Sequence, residues 1–137
     1  MKGSELMSEV IQAQAAIDKL RIDKSNSHYR PFIFVIAPFT EVVKGQDKAI
    51  QTVQSYCRFV YQAGGIPVCP QLYLPQFINM HRSQEFQIAA FINIVLLTKC
   101  TEAWSFGKPT HDMRYFHRLA KRKGKNIRQF NLKTEVY

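Results

Sequence analysis

Long apolar runs are missing from this chain. The longest, Ile88 to Leu97, is broken by Asn93 and falls short of the roughly 18 to 20 residues that a membrane helix requires. Met1 to Val10 has no apolar core of the kind that marks a signal peptide, so a cytoplasmic protein without membrane contact is expected. Cysteine is scarce: Cys57, Cys69 and Cys100 are three residues in apolar contexts with no metal-ligand spacing. An odd, scattered set argues against a disulfide framework and against a zinc site, leaving buried free thiols. His111 and His117 are six residues apart and do not share a helical face, which makes them a poor metal pair. No metal and no cofactor is expected. Acidic residues are also few, ten against 19 Lys and Arg, for a net charge of +9. No internal repeat or low-complexity segment is present.

What remains is an ordinary globular composition, 46% hydrophobic over 137 residues, enough for one buried core. Met7 to Leu20 has apolar residues at helical spacing, an amphipathic helix that cannot bury its face alone. Arg21 to Arg30 is polar and reads as a linker, so an N-terminal helix and linker over residues 1–30 precede a unit over residues 31–137. Phe32 to Ala37 is a continuous apolar run suited to a central parallel strand covered on both faces. Gln46 to Gln62 places Ile50, Val53, Cys57 and Val60 on one helical stripe, stopped by Gly64 and Gly65. Ile66 to Pro70 is a second short strand and Gln71 to Ser83 a loop. Gln84 to Thr98 is a helix apolar nearly all round, hence deeply buried or an oligomer interface. Ala103 to Phe106, Asp112 to Lys123 and Asn126 to Phe130 read as strand, helix and strand. Strands alternating with helices predict an α/β fold: a three-layer, doubly wound, flavodoxin- or Rossmann-like parallel sheet with an extra N-terminal helix. The Phe32 strand is expected at its centre. Trp104 and Phe106, on a strand, are expected in the core. The ligand edge of such a sheet lies beyond the carboxyl ends of its strands.

Several ordered segments carry a resemblance. Ala37-Pro38-Phe39, Tyr56-Cys57-Arg58-Phe59, Gly65-Ile66-Pro67, Pro70 to Phe77 and Cys100 to Gly107, with the Met113, Ala120 and Gly124 spacing, resemble the nucleoside 2-deoxyribosyltransferase-like superfamily. The likeness is closest to its small DUF4406- and DUF7768-type domains and covers about residues 31–131. It implies a nucleoside or nucleotide at the sheet's carboxyl edge, near Ala37, Pro38, Phe39, Gln71, Gly107, His111 and Met113. It also implies a glutamate on the last main helix that attacks the sugar's anomeric carbon, since an oxocarbenium-like transition state needs an anionic nucleophile. Aligning the family's methionine on Met113 puts Phe116 at that glutamate. The aspartate that commonly follows the family's cysteine is Thr101, the Ser-Pro-Tyr turn is Ala37-Pro38-Phe39, and a histidine after Pro70 is Gln71. The nearest substitute carboxylates are Asp112, whose commoner use is to cap its helix, and Glu102, expected to face solvent ahead of its strand.

Charge supplies an argument independent of any resemblance. Residues 108–137 carry nine Lys and Arg against two Asp and Glu, +7 of the +9. Arg114, Arg118, Lys121, Arg122 and Lys125 recur at three- and four-residue spacing along one side of the last helix, a surface for nucleic acid or an acidic protein. Tyr115 is the main interleaved aromatic, so backbone or protein contact is favoured over base reading. Two functions follow. One is a catalytically degenerate deoxyribosyltransferase-like binding protein, of a kind that phages and mobile elements carry as inhibitors of host defence. The alternative is an active N-glycosidic hydrolase or transferase on nucleosides or nucleotides. A homo-oligomer is expected in either case.

Overall fold

Phe32–Ile36, apolar throughout, forms β1, an inner strand of a four-stranded parallel sheet in the order β2-β1-β3-β4. The computed structural model describes the backbone of residues 2–132 and the side chains of residues 7–132; residues 133–137 of the expected second unit lie outside that part. β2 is Ile66–Val68, β3 Glu102–Phe106 and β4 Asn126–Phe130. Registers run from Phe32↔Ile66 to Phe34↔Val68, from Ile33↔Glu102 to Ile36↔Ser105, and from Glu102↔Asn126 to Phe106↔Phe130. The helices are α1 (Lys2–Asp23), the short α2 (Thr40–Val43), α3 (Asp47–Ala63), α4 (Ser83–Lys99) and α5 (His111–Arg122).

Right-handed crossovers in this order put α3, the β1-to-β2 connection, on one face and α4 and α5 on the other. Side chains follow the alternation of the strands. Phe34 meets Phe116 of α5 at 5.8 Å, while Trp104, Phe106 and Phe130 meet Phe59 of α3 at 5.3–6.4 Å. The expected three-layer α/β architecture with β1 inside the sheet is the one observed. Trp104 and Phe106 are fully buried, as core residues should be.

Two local expectations are corrected. The N-terminal helix does not stop at Leu20 but runs to Asp23, and the segment after it is tied down. Arg21 Nε donates to the Tyr29 carbonyl at 3.0 Å, and Arg30 Nη1 donates to the Gly65 carbonyl at 2.8 Å. Next, β2 ends at Val68 because Pro70, which has no N–H to extend a ladder, opens a 3₁₀ turn over Pro70–Leu72; a second follows at Leu74–Gln76. The amphipathic α1, which cannot bury its face alone, finds its cover within the chain. Ala13, Ala16 and Ile17 are buried against α3 and the Gly64-Gly65 turn. Gly64 caps α3 at φ 110°, and a Cβ on Gly65 would stand 2.9 Å from Ile33 Cγ1. Both positions therefore require glycine.

α4 is only partly covered: Ala89, Asn93 and Leu97 are its buried residues, whereas Phe86, Ile88 and Phe91 are exposed.

Candidate functional site

A cavity of about 520 Å³ opens at the carboxyl edge of the sheet, on the α4–α5 face. Each wall follows from the topology. Phe39, Thr40, Val43 and Lys44 come from the turn after β1 and from α2. Gln71 comes from the 3₁₀ turn after β2, and Met80, His81, Phe86, Ala89, Ala90 and Asn93 from α4 and its approach. The first turns of α5 supply Asp112, Tyr115 and Phe116. The lining is mostly apolar and aromatic. Phe116 packs edge-on against Phe39 at 5.7 Å and against Tyr115 at 5.3 Å.

Asp112 holds the two sides of this edge together. Its Oδ2 accepts from the Phe39 N–H at 2.8 Å and lies 3.5 Å from the Thr40 hydroxyl, and its Oδ1 accepts from the Thr110 hydroxyl. Burial pushes the carboxyl upward, but the Thr110 hydroxyl and the N–H groups of Phe39, Asp112 and Met113 outweigh it, and the pKa falls below the usual aspartate range. The N-cap of α5 is Thr110, so Asp112 serves the helix from inside its first turn rather than from the cap position. The carboxylate stays ionised, with its oxygens committed to the fold.

Glu102 is corrected outright. It opens β3, at the opposite edge of the sheet from the cavity, and is 4% exposed rather than solvent-facing. Arg128 Nε and Nη2 donate to it at 2.7 and 3.2 Å, Trp104 Nε1 at 2.9 Å and Asn126 Nδ2 at 3.3 Å. Burial raises its pKa, and these donors, Arg128 foremost, more than reverse the effect. It has no path to a ligand at the carboxyl edge.

Of the other residues expected at the site, Phe39 and Gln71 reach the cavity. Ala37 and Met113 are fully buried in the core, and Pro38 and His111 are exposed away from it. Gly107 turns the chain at φ 82°, its N–H donating to the Phe130 carbonyl at 3.0 Å, and is not part of the lining. His81 is exposed and lines the rim. His117 bonds Ser105 Oγ at 2.7 Å, but Ser105 is fully buried, so the pair meets no ligand. Desolvation, then the Lys121 charge, lowers the His117 pKa.

Cys57 and Cys69, far apart in sequence, share a hydrogen bond that lowers the Cys57 pKa and, with burial, raises that of Cys69. Burial pushes the Cys100 thiol up to about 12. Among the described residues no group of three His, Cys, Asp or Glu could hold a metal. On α5, Arg114, Arg118, Lys121 and Arg122 are exposed and form no ion pair among the described residues, while Lys125, past the end of the helix, donates from Nζ to the Thr98 carbonyl at 2.8 Å. Asn93, Phe86 and Tyr115 were not expected to line the cavity. The sequence signal for Asn93 was its place as the lone interruption of an apolar run.

A family model described as a domain of unknown function (DUF7768) matches residues 31–130. No curated protein matches in sequence. Among solved structures, the fold is similar to that of a 2-deoxyribosyltransferase from the psychrotolerant bacterium Bacillus psychrosaccharolyticus. The TM-score is 0.60 at 11% identity, covering 77% of this chain and 76% of that one. That protein is described as a biocatalyst for the synthesis of antiviral and antitumoral nucleosides. At this identity the likeness establishes the fold.

Proposed function

This chain belongs to the DUF7768 domain family, and from that premise we propose that it binds a nucleoside-like ligand at the sheet's carboxyl edge without transferring its sugar. The observation that carries this reading is Phe116. It stands in the cavity wall at the position where the resemblance to deoxyribosyltransferases puts the nucleophilic glutamate. A phenyl ring has no nucleophilic atom to attack an anomeric carbon and carries no negative charge to set against an oxocarbenium ion. The nearest carboxylate, Asp112, is held by Phe39 and Thr110. An aromatic cavity with a few polar groups suits a flat heterocycle. Its one lysine, Lys44, is exposed and lies 3.6 Å from Glu41, which favours an uncharged nucleoside over a nucleotide.

Purified protein incubated with nucleosides and deoxynucleoside monophosphates tests the reading. Saturable heat in a calorimetric titration is expected, with no free base detected by chromatography. Release of base that disappears in Asp112→Asn would establish the N-glycosidase alternative instead.

A second surface has its own support. The exposed Arg114, Arg118, Lys121 and Arg122, which form no ion pair among the described residues, favour reading the solvent face of α5 as a surface for a polyanion, nucleic acid or an acidic protein.

A further inference from the structure

Asn93 is polar in an otherwise apolar stretch of α4, is 4% exposed, and stands at the cavity wall. Its Nδ2 donates to the Ala89 carbonyl at 2.9 Å. A carbonyl only accepts, so the amide nitrogen belongs on that side. The amide oxygen is left over: Oδ1 is buried and has no hydrogen-bond partner among the described residues. An unmet buried acceptor costs the empty protein stability that a leucine at this position would not. Gln71, 7% exposed, lines the same cavity, and its side chain forms no hydrogen bond among the described residues.

We propose that Asn93 Oδ1 is the recognition acceptor of this cavity, taking a hydrogen bond from a ring N–H of a flat, neutral ligand that lies against Phe39, Phe86 and Phe116. Gln71, whose amide can donate or accept, pairs with the neighbouring carbonyl. The ligand class is therefore a heterocycle with a lactam edge, N–H beside C=O, and not merely any aromatic ring. The inference rests on reading the cavity as a nucleoside site. It adds the group that selects among nucleosides, which neither Phe116 nor Asp112 supplies.

Calorimetric titration with uridine, 3-methyluridine, inosine and 1-methylinosine tests it, since each methyl group removes the ring N–H. At least one parent nucleoside should bind about ten-fold or more tightly than its methylated partner, because methylation leaves Oδ1 unpaired at the edge of the bound ring. In Asn93→Leu the two members of that pair should bind equally. The ligand-free variant should also melt a few degrees higher than the parent protein, having lost an unsatisfied polar group. A merely structural amide gives the opposite signature: Asn93→Leu melts lower and ligand discrimination is unchanged. Equal binding of parent and methylated nucleosides by the unsubstituted protein overturns the role of Asn93 while leaving the nucleoside site standing. No binding of any of the four overturns both. Should Asn93→Leu not fold, the comparison of methylated and parent ligands on the unsubstituted protein decides alone.

Discussion

Asp112, Glu102 and Glu9 show how differently three carboxylates are used in one small domain. Asp112→Asn replaces an ionised acceptor of the Thr110 hydroxyl and the Phe39 N–H with a neutral one. It should cost about 1–2 kcal/mol in urea unfolding, the range for hydrogen bonds to a charged group at a half-buried site. Glu102→Gln weakens its bonds to the Arg128 guanidinium in a more buried place. It should cost more, about 2–3 kcal/mol, kept from the top of the buried-pair range by the partial exposure of Arg128. Both groups have pKa values below their unfolded ones, so their contributions are complete above about pH 4 and are lost as pH falls through the folded values. Glu9 has the opposite sign. Burial raises its pKa, its backbone bond with Asn131 only partly opposing this, and one of its oxygens is buried without a partner among the described residues. Its charged form destabilises the fold as pH rises. Glu9→Gln should therefore raise the urea midpoint at neutral pH, with the gain disappearing near pH 4. A gain that persists unchanged at pH 4 would contradict this assignment.

At the scale of elements, α5 and α4 each present an open face, one basic and one apolar. α5 separates its faces cleanly: Met113, Phe116, Leu119 and Ala120 are buried, and Arg114, Arg118, Lys121 and Arg122 are exposed. If the basic face holds single-stranded nucleic acid, Arg118→Ala with Arg122→Ala should flatten the dependence of log affinity on log salt by roughly one to two units. The melting temperature should hardly change, because exposed charges contribute little to stability. Anisotropy with a fluorescent oligonucleotide across a salt series measures this; an unchanged slope removes α5 from the interface. On α4, Ile88 and Phe91 are 57% and 64% exposed. Apolar side chains this open on a helix suit an interface between copies, and light scattering at micromolar concentration should give at least a dimer mass. Ile88→Glu with Phe91→Glu should then give a monomer. A monomer before substitution counts against an oligomer built on this face.

For the whole molecule, α1 bears on where the folding unit begins. Ile17 is fully buried, and its Cγ2 lies 3.1 Å from the point a Gly64 Cβ would occupy. Ile17→Ala should destabilise the protein by about 2–4 kcal/mol, the cost of a core cavity. A chain starting at Pro31 should lose cooperative unfolding, since the α3 face would lie open. A sharp thermal transition in such a truncation would show that residues 31–132 fold without the helix.

The sequence by itself determined the alternation of strands and helices, the parallel sheet and the inner place of β1. These follow from hydrophobic periodicity and glycine or proline stops, which are local signals. The resemblance to deoxyribosyltransferases, not spacing, singled out Phe116 and Asp112, and charge marked the basic stripe. Tertiary structure alone decided the rest. Glu102 went from an expected solvent position to a buried pair because Arg128 lies across from it in β4, a partner set by strand register. Met113 went to the core and Asn93 to the cavity because helix docking, not sequence neighbourhood, chooses which face meets the sheet. Cys57 and Cys69 became neighbours by the same packing of α3 beside the end of β2. Hydrophobic pattern specifies elements, but a site is formed by side chains distant in sequence that converge only once those elements pack.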